Sequence, residues 1–533
     1  MWQRNNPEVA CCRAGSGASI VAMRSTLLAY GLSGLMGAYF AISLFSLDFI
    51  WPEAGQAWRQ AGDAAQHAIA QRHFLADIWR WPPLGIGTLQ GVNLAFLDGI
   101  PALALPLKLL APGPGFHGIG LFYALAWLMQ PIGAVFALRG FGVRGVVPAL
   151  AMALMAASMP AFIMRFGHAA LCGHFVILLA LGLYPRLLRD GRWWGAGIPF
   201  QVAALLVHPY LALMSLAVLA AVPLTLIVRR GPPLVAMAGV IAAAGAMGGA
   251  MATLGYLGAS GDGGFGQFAM NLLSPAWPNR SLLLGWLAPV EVDATGHGGW
   301  EGYNWLGLGL WVAIGAALWV GRGRLPWRRH AGLGLALLGC LALAVSLRIG
   351  LGELILLDIR PVPAALEQFR ASGRFFWPVA YALLLASVVI LARDGRRGAR
   401  LLALCAALQF LDATPQRAAL RHWAGERLPW TVDAAALRPL MAAAERISLV
   451  PAWPCVAPED WQIRTRLLEI LLLASETPRP VNAMYAARWR EPPRCTPPGP
   501  LAPGELRLVL PGQDPGAEGC TRLGNLLACR PAG

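Results

Sequence analysis

Apolar runs of membrane-spanning length alternate with short polar stretches along most of this chain. They cover residues 25–49, 118–138, 146–164, 170–183, 195–228, 234–257, 305–320, 333–345, 376–392 and 401–410. The run 195–228 is too long for one crossing and breaks at His208-Pro209-Tyr210, so it reads as an outward hairpin of two helices. The pattern predicts an all-α polytopic membrane protein with about 11 transmembrane helices.

Two segments of the first long loop depart from this rhythm. The stretch GDAAQHAIAQRHF, residues 62–74, has helical spacing that places Asp63, His67 and Phe74 on one face. One reading is an amphipathic helix on the membrane surface; the other is a carboxylate, Asp63, aimed into a cavity. Residues 99–112 are apolar but short and interrupted by Pro101 and Pro106, which suits an interfacial or re-entrant piece. Beyond the last apolar run the pattern changes to that of a soluble α/β domain. There RISLVPAW and LRLVLPG read as strands and residues 461–475 as an amphipathic helix.

Composition supports the membrane reading: 57% of residues are hydrophobic and 13% charged, about half the charged share of soluble domains. The net charge of +15 does not indicate nucleic acid, because the arginines lie in short clusters between apolar runs. Those clusters sort the loops. With Arg4, Arg13 and Arg24 before the first run, the N-terminus is expected in the cytoplasm, and that run is expected to be a retained span. The chain then divides into a cytoplasmic tail, 1–24; a transmembrane domain, 25–412, with outer loops 51–117, 258–304 and 348–375; and an extracytoplasmic domain, 413–533. Four of the nine cysteines fall in this last domain, where an oxidising compartment favours the pairs Cys520–Cys529 and Cys455–Cys495. Cys11, Cys12, Cys172, Cys340 and Cys405 read as apolar fillers.

The same sidedness gathers the polar residues at the outer face. Asp98 stands at the lip of the re-entrant piece, either as a helix cap or as a site carboxylate. RFGHAALCGHF sets His168 and His174 six apart, a poor spacing for one helical face. In GGWEGYNWLGLG an acid and an amide, Glu301 and Asn304, accompany the rings of Trp300 and Tyr303, which is the chemistry of sugar recognition. Arg370 and Arg374 share a helical face outside, against the positive-inside bias, and a lipid-linked phosphate or pyrophosphate is their natural partner. No G-x-x-x-x-G-K-[ST], H-E-x-x-H or G-x-S-x-G is present, so ATP-driven transport, zinc proteolysis and serine hydrolysis lose support.

Taken together, GDAAQHAIAQRHFLADIWRWPPLG, LDGIPALALPLKLL, RFGHAALCGHFVILLAL, GGWEGYNWLGLG and FRASGRFFWP resemble a family of bacterial multi-pass membrane proteins of the GT-C glycosyltransferase superfamily. The likeness runs over residues 25–415, in the same order. It implies an inverting transferase in the bacterial cytoplasmic membrane. Such an enzyme moves a sugar from a polyprenyl-phosphate donor to a cell-envelope glycan, lipid or protein at the outer face. Asp63 occupies the position of the acid in the first outer loop and is the expected base, with Asp98 as a second carboxylate. Many relatives carry two acids in a row where this chain has Asp63-Ala64. His67, Asp77 and His168 join Trp300, Glu301, Tyr303 and Asn304 as expected substrate contacts, and Arg370 and Arg374 as phosphate contacts. No cofactor follows from the residues; a divalent cation, magnesium or manganese, is the candidate. The physical requirement agrees: a sugar hydroxyl needs a carboxylate to orient it and take its proton, and a departing phosphate needs a cation. A lipid-carrier flippase and a non-catalytic scaffold are the alternatives. A flippase predicts inverted repeats and midplane polar residues, neither of which the pattern displays.

Overall fold

The computed structural model describes residues 16–52, 62–89, 92–261, 263–293, 301–321, 327–457, 459–486, 488–490, 495 and 497–531. Trp300, Arg4, Arg13, Cys11 and Cys12 lie outside the described residues. Helices dominate. The first half carries Ser16–Leu44 (α1), the turn Leu47–Ile50 (α2), Gly62–Ala76 (α3), Pro101–Leu110 (α4), Ile119–Gly140 (α5), Val146–Ala157 (α6) and the turn Pro160–Ile163 (α7). Phe175–Arg189 (α8), Trp194–Val207 (α9), Pro209–Val228 (α10) and Leu234–Leu254 (α11) follow. Leu308–Val320 (α12), Ala331–Val345 (α13), Trp377–Leu391 (α14) and Gly395–Asp412 (α15) complete the apolar part.

Six helical segments among the described residues are long and apolar enough to cross a membrane: Met23–Leu44, Ile119–Gly140, Ala169–Arg189, Pro209–Val228, Leu234–Leu254 and Ser372–Asp412. Shorter apolar helices, α6, α12 and α13, stand among them. Large apolar side chains remain exposed along these helices, Leu27, Leu35, Ile42, Ile241, Trp319, Leu338 and Leu404 among them, as a lipid-facing surface requires. Inside, helices approach closely where glycine allows it. A Cβ on Gly309 of α12 would lie 2.1 Å from the carbonyl oxygen of Cys405 on α15.

The connections are unequal, and that sorts the two ends of the bundle. Short links join α5 to α6, α8 to α9, α10 to α11 and α14 to α15, and arginines gather at them. Arg139 donates to the carbonyl of Val143 at 2.8 Å, Arg189 to that of Gly140 at 3.0 Å and Arg186 to that of Gly182 at 2.6 Å. Cations thus complement the negative ends of these helices. The long connections all emerge at the opposite end. There the part of the fold outside the helical bundle is built.

α3 belongs to that part, and it is not a solvated surface helix. Gln66, His67, Gln71, Arg72 and His73 are all buried, because the helix is covered on every side. Gln71 donates to the carbonyl of Gly99 at 2.7 Å and accepts from Gly118 N at 2.7 Å, while Arg72 reaches Ser475 Oγ at 3.2 Å. α4, ten residues long, is too short to cross a bilayer and packs against α3, as its length and prolines predict. Short strands Gly85–Ile86 (β1) and Val92–Asn93 (β2) pair antiparallel between them. At the same end Ser260–Gly261 (β3) follows α11, and Arg348–Leu351 (β4) and Leu354–Asp358 (β5) form a hairpin whose Leu354, Ile355, Leu356 and Leu357 are exposed.

The C-terminal region adds Thr414–Gly425 (α16), Ala434–Ala443 (α17), Arg446–Val450 (β6) and Trp461–Ala474 (α18). Arg488–Trp489 (β7), Glu505–Val509 (β8), Cys520–Leu523 (β9) and Leu526–Cys529 (β10) complete it. The four-stranded sheet runs β6-β8-β10-β9, with β6 parallel to β8 and the rest antiparallel. The amphipathic α18 lies in the crossover between the parallel strands, as that geometry needs, and it packs against α3 and α17. Both cysteine pairs form as the spacing predicts: Cys455–Cys495 with Cα atoms 5.5 Å apart, and Cys520–Cys529 across paired strands. Cys172, Cys340 and Cys405 are buried and free. β7 pairs with β3, which ties the C-terminal domain to the end of α11.

Candidate functional site

Seven segments far apart in sequence deliver their polar side chains to one place at the end of the bundle where the long connections lie. The first turn of α3 supplies Asp63, at the end where a helix favours an acid, and one turn later His67. A 3-10 turn over Leu94–Leu97 ends on Asp98 in the left-handed region, φ 48°, with Ile100 also left-handed at φ 53°. Such backbone is costly for a β-branched residue and holds Asp98 at the head of the α4 segment. The link between α7 and α8 gives Arg165 and His168, the break before α10 gives His208, and the loop before α12 gives Glu301. Arg374 comes from the turn before α14, and Tyr485 from the C-terminal domain.

Glu301 is the hub of the arginine side. Arg374 holds it with two contacts, Nε to Oε2 at 3.0 Å and Nη2 to Oε1 at 2.6 Å, while Arg165 Nη1 meets Oε2 at 2.6 Å. His168 Nε2 reaches Oε1 at 3.2 Å. Burial pushes the Glu301 carboxyl up, but Arg374, Arg165 and His168 together hold it well below the usual carboxylate range. The other His168 nitrogen, Nδ1, lies 3.1 Å from Asp63 Oδ2. Asp63 Oδ1 accepts from the Tyr485 hydroxyl at 2.6 Å. A continuous line of hydrogen bonds therefore runs from Tyr485 through Asp63 and His168 to Glu301 and its arginines.

Asp98 is organised by a second histidine. Tyr210 N–H donates to His208 Nδ1 at 3.0 Å, which places the remaining His208 proton on Nε2, 3.4 Å from Asp98 Oδ1. Burial would raise the Asp98 carboxyl, yet His208 and then His67 lower it below the ordinary range. The second Asp98 oxygen, Oδ2, faces His67 Nε2 at 4.0 Å, beyond hydrogen-bond reach. His67 is fully buried and neither ring nitrogen has a hydrogen-bond partner. Its burial lowers its pKa to about 4, against the attraction of Asp98 and Asp63, so its imidazole is neutral at ordinary pH.

Of the residues expected from the sequence, Asp63, Asp98, His67, His168, Glu301 and Arg374 meet here. Arg374 is committed to Glu301. Arg370 stands apart from that pair, half-buried with its guanidinium 5.7 Å from the Phe268 ring. Asp77 does not join the cluster. Its carboxylate takes Arg80 at 2.8 and 3.0 Å and Gly87 N–H at 2.6 Å, fixing the turn after α3. Tyr303 donates to the carbonyl of Asn279 at 3.0 Å, and Asn304 donates to Gly302 and Gly373 at 3.1 Å, so both fasten the loop that carries Glu301. His174 lies in the bundle core against Trp377, with ring centroids 4.1 Å apart. Arg165, His208 and Tyr485 are the additions. His208 marks a break in an apolar run, a signal visible in the sequence; nothing in NAMYAARW singles out Tyr485.

A cavity of about 970 Å³ opens at the other end of the bundle between α8, α10, α13 and α14. Its walls are apolar and its rim carries Arg189, Arg229, His330 and Arg393, without a carboxylate. The acid cluster and this crevice are separate features.

Residues 34–414 match a family described as a domain of unknown function, DUF6311, and residues 436–531 match its C-terminal domain. The chain belongs to the DUF6311 family. The boundary between the two matches falls at α16, where the apolar bundle gives way to the domain that carries the sheet. Every DUF6311 feature of the acid cluster except Tyr485 comes from the first match, and Tyr485 comes from the second. No curated protein matches the chain.

Proposed function

We propose that this DUF6311 protein is a membrane glycosyltransferase of the GT-C kind. In this reading eleven helices, α1, α5, α6 and α8 to α15, cross the bacterial cytoplasmic membrane, and the arginine-rich end lies in the cytoplasm. The acid cluster then faces outward, where a polyprenyl-phosphate sugar donor and a cell-envelope acceptor meet. The single observation that carries the reading is the convergence of Asp63 and Asp98. They start from the two ends of the first long loop and face the same pair of histidines, His67 and His168.

Asp63 is the base. Its side chain keeps a quarter of its surface open, 25%, while Tyr485 and His168 fix both oxygens in direction. An acceptor hydroxyl placed against it gives up its proton as the new glycosidic bond forms. His168, held between Asp63 and Glu301, fixes the direction of the Asp63 carboxylate, and the proton that Asp63 takes up leaves to solvent through its open side. Arg370, on the same segment as Arg374, is the cation for the departing phosphate, and the buried Arg165–Glu301–Arg374 group braces the segment that carries it. The exposed apolar hairpin of β4 and β5, at the same end, suits the surface of a leaflet that holds the donor's lipid chain.

The test is purified full-length protein in lipid nanodiscs with labelled polyprenyl-phosphate sugar and envelope extract. Wild type should release free carrier phosphate, and Asp63→Asn should lose release by about a hundredfold or more with an unchanged melting temperature. Full release by Asp63→Asn, or movement of intact donor across the bilayer without cleavage, would refute the reading.

A further inference from the structure

We infer that His67, Asp98 and His168 form a binding site for a divalent transition-metal ion of the zinc class. The inference goes beyond the transferase reading and stands whether or not the protein moves sugar. One ligand atom from each of the three residues lies within 4.8 Å of the other two. Proximity alone would be an ordinary cluster. What distinguishes this one is His67, a fully buried imidazole whose Nδ1 and Nε2 both lack a hydrogen-bond partner. Buried imidazoles are normally tied by at least one nitrogen, and an untied one is strongly disfavoured unless something else takes its lone pair.

The gap beside it has the right size. His67 Nε2 and Asp98 Oδ2 stand 4.0 Å apart, too far to bond to each other. That separation is about twice a zinc–nitrogen or zinc–oxygen bond. Tetrahedral ligands at that bond length stand about 3.4 Å apart, so this pair closes by about 0.6 Å and the wider edges of the triangle, which reach up to 4.8 Å, close by up to about 1.4 Å. The surrounding groups hold the ligands as metal sites require. Asp98 keeps Oδ1 on the fixed Nε2–H of His208, which leaves Oδ2 for the ion. His168 has a carboxylate on either side, Asp63 at 3.1 Å and Glu301 at 3.2 Å, so the nitrogen that does not bind the ion stays held by an acid. The charge agrees as well: three carboxylates, Asp63, Asp98 and Glu301, face two guanidiniums, Arg165 and Arg374, which leaves a net negative site for a cation.

The donor set selects the ion. Two imidazoles and one carboxylate oxygen suit zinc and its neighbours, whereas magnesium asks for oxygen ligands in near-ideal octahedral array. Three protein ligands leave one coordination position for water or for a phosphate oxygen, the arrangement of a working rather than a structural site.

The experiment uses full-length protein purified in detergent without a histidine tag and stripped with chelator. Cobalt(II) should bind once per chain, with visible d–d absorption that zinc abolishes by displacement. His67→Ala and Asp98→Asn should each weaken that binding by at least about tenfold. His73→Gln, a buried histidine elsewhere on α3, should leave it unchanged. Asp98→Asn keeps the size of the side chain, so it answers the question even where His67→Ala fails to fold. Wild-type uptake no greater than that of the two ligand variants, or a thermal shift with magnesium or manganese but none with zinc, overturns the assignment. None of these readouts involves sugar transfer, so failure here and failure of the transferase reading are separate events.

Discussion

Tyr485 donates its hydroxyl proton to Asp63 at 2.6 Å across 422 positions of sequence. Burial, and then the negative charge of Asp63, push the phenol far above its ordinary pKa, so it remains a donor at every physiological pH. Gln66, one turn along from Asp63, returns the contact by donating to the Tyr485 carbonyl at 2.6 Å. The C-terminal domain is thus part of the site. Tyr485→Phe keeps the ring and removes the donor. In the transferase reading it should lower transfer by about tenfold, chiefly in kcat, while stability changes by no more than about 2 kcal/mol, the range for one hydrogen bond to a charged group. Parallel kinetics and melting curves check it; wild-type kcat in the variant would show that Asp63 needs no such partner.

Glu301→Gln leaves Arg165 and Arg374 buried without their shared counter-charge. Breaking a buried ion group by removing one member costs about 3–5 kcal/mol, a larger loss than any exposed pair in this chain can cause. Arg280 and Glu291, 42% and 32% exposed, provide the contrast, and Glu291→Gln should change stability by less than about 1 kcal/mol. Denaturation of the two variants side by side decides the point.

Acid should weaken the fold through His73. Burial lowers this histidine's pKa from 6.5 to about 3, against the attraction of Asp77 and with a small push from Arg72. Its Nδ1 is tied to Thr88 Oγ1 at 3.0 Å. The unfolded chain takes up a proton below about pH 6.5 that the folded chain refuses until about pH 3, so stability falls as pH drops through that window. At 1.36 kcal/mol per pKa unit the loss approaches about 5 kcal/mol. Melting temperature against pH, in wild type and His73→Gln, should show a shallower acid slope in the variant; parallel slopes would mean that His73 charges freely in the fold.

Cys455 and Cys495 close a loop of 40 residues. Removing that closure by a double Cys→Ser change should cost the domain about 4 kcal/mol in the chain-entropy picture. The effect reaches the site, because Trp453, two residues before Cys455, stacks on Tyr485 with ring centroids 4.5 Å apart. In the transferase reading, reductant should therefore lower transfer in wild type and have no further effect in the double variant. Sensitivity to reductant in both would point to the other disulfide, Cys520–Cys529.

The helical bundle was legible because its signal is length: apolar runs and arginine-flanked links repeat along the sequence, and the helices follow them. Asp63, Asp98, His168, Glu301 and Arg374 were legible as polar residues where apolar periodicity stops. The disulfide pairing was legible from compartment and spacing. What sequence could not supply was partnership. Arg374 reads as a phosphate ligand until Glu301 is found against it, and Asp77 reads as a site acid until Arg80 and Gly87 are found around it. The burial of α3 depends on α18 lying over it, a contact between segments 400 residues apart, as in Arg72 and Leu472. Asp412 was silent for the same reason: at the end of α15 it accepts from Ser281, from Trp305 Nε1 at 3.1 Å and from Leu308 N–H at 3.0 Å, and so anchors the loop that bears Glu301.

Tyr485 follows every apolar helix in the order of synthesis. A nascent chain already threaded into the bilayer therefore holds its acids and histidines but lacks the phenol that roofs them. The cluster is complete only once the sheet-bearing domain has folded over α3. In the transferase reading, a chain cut before Tyr485 lacks the donor to Asp63 and is therefore inactive.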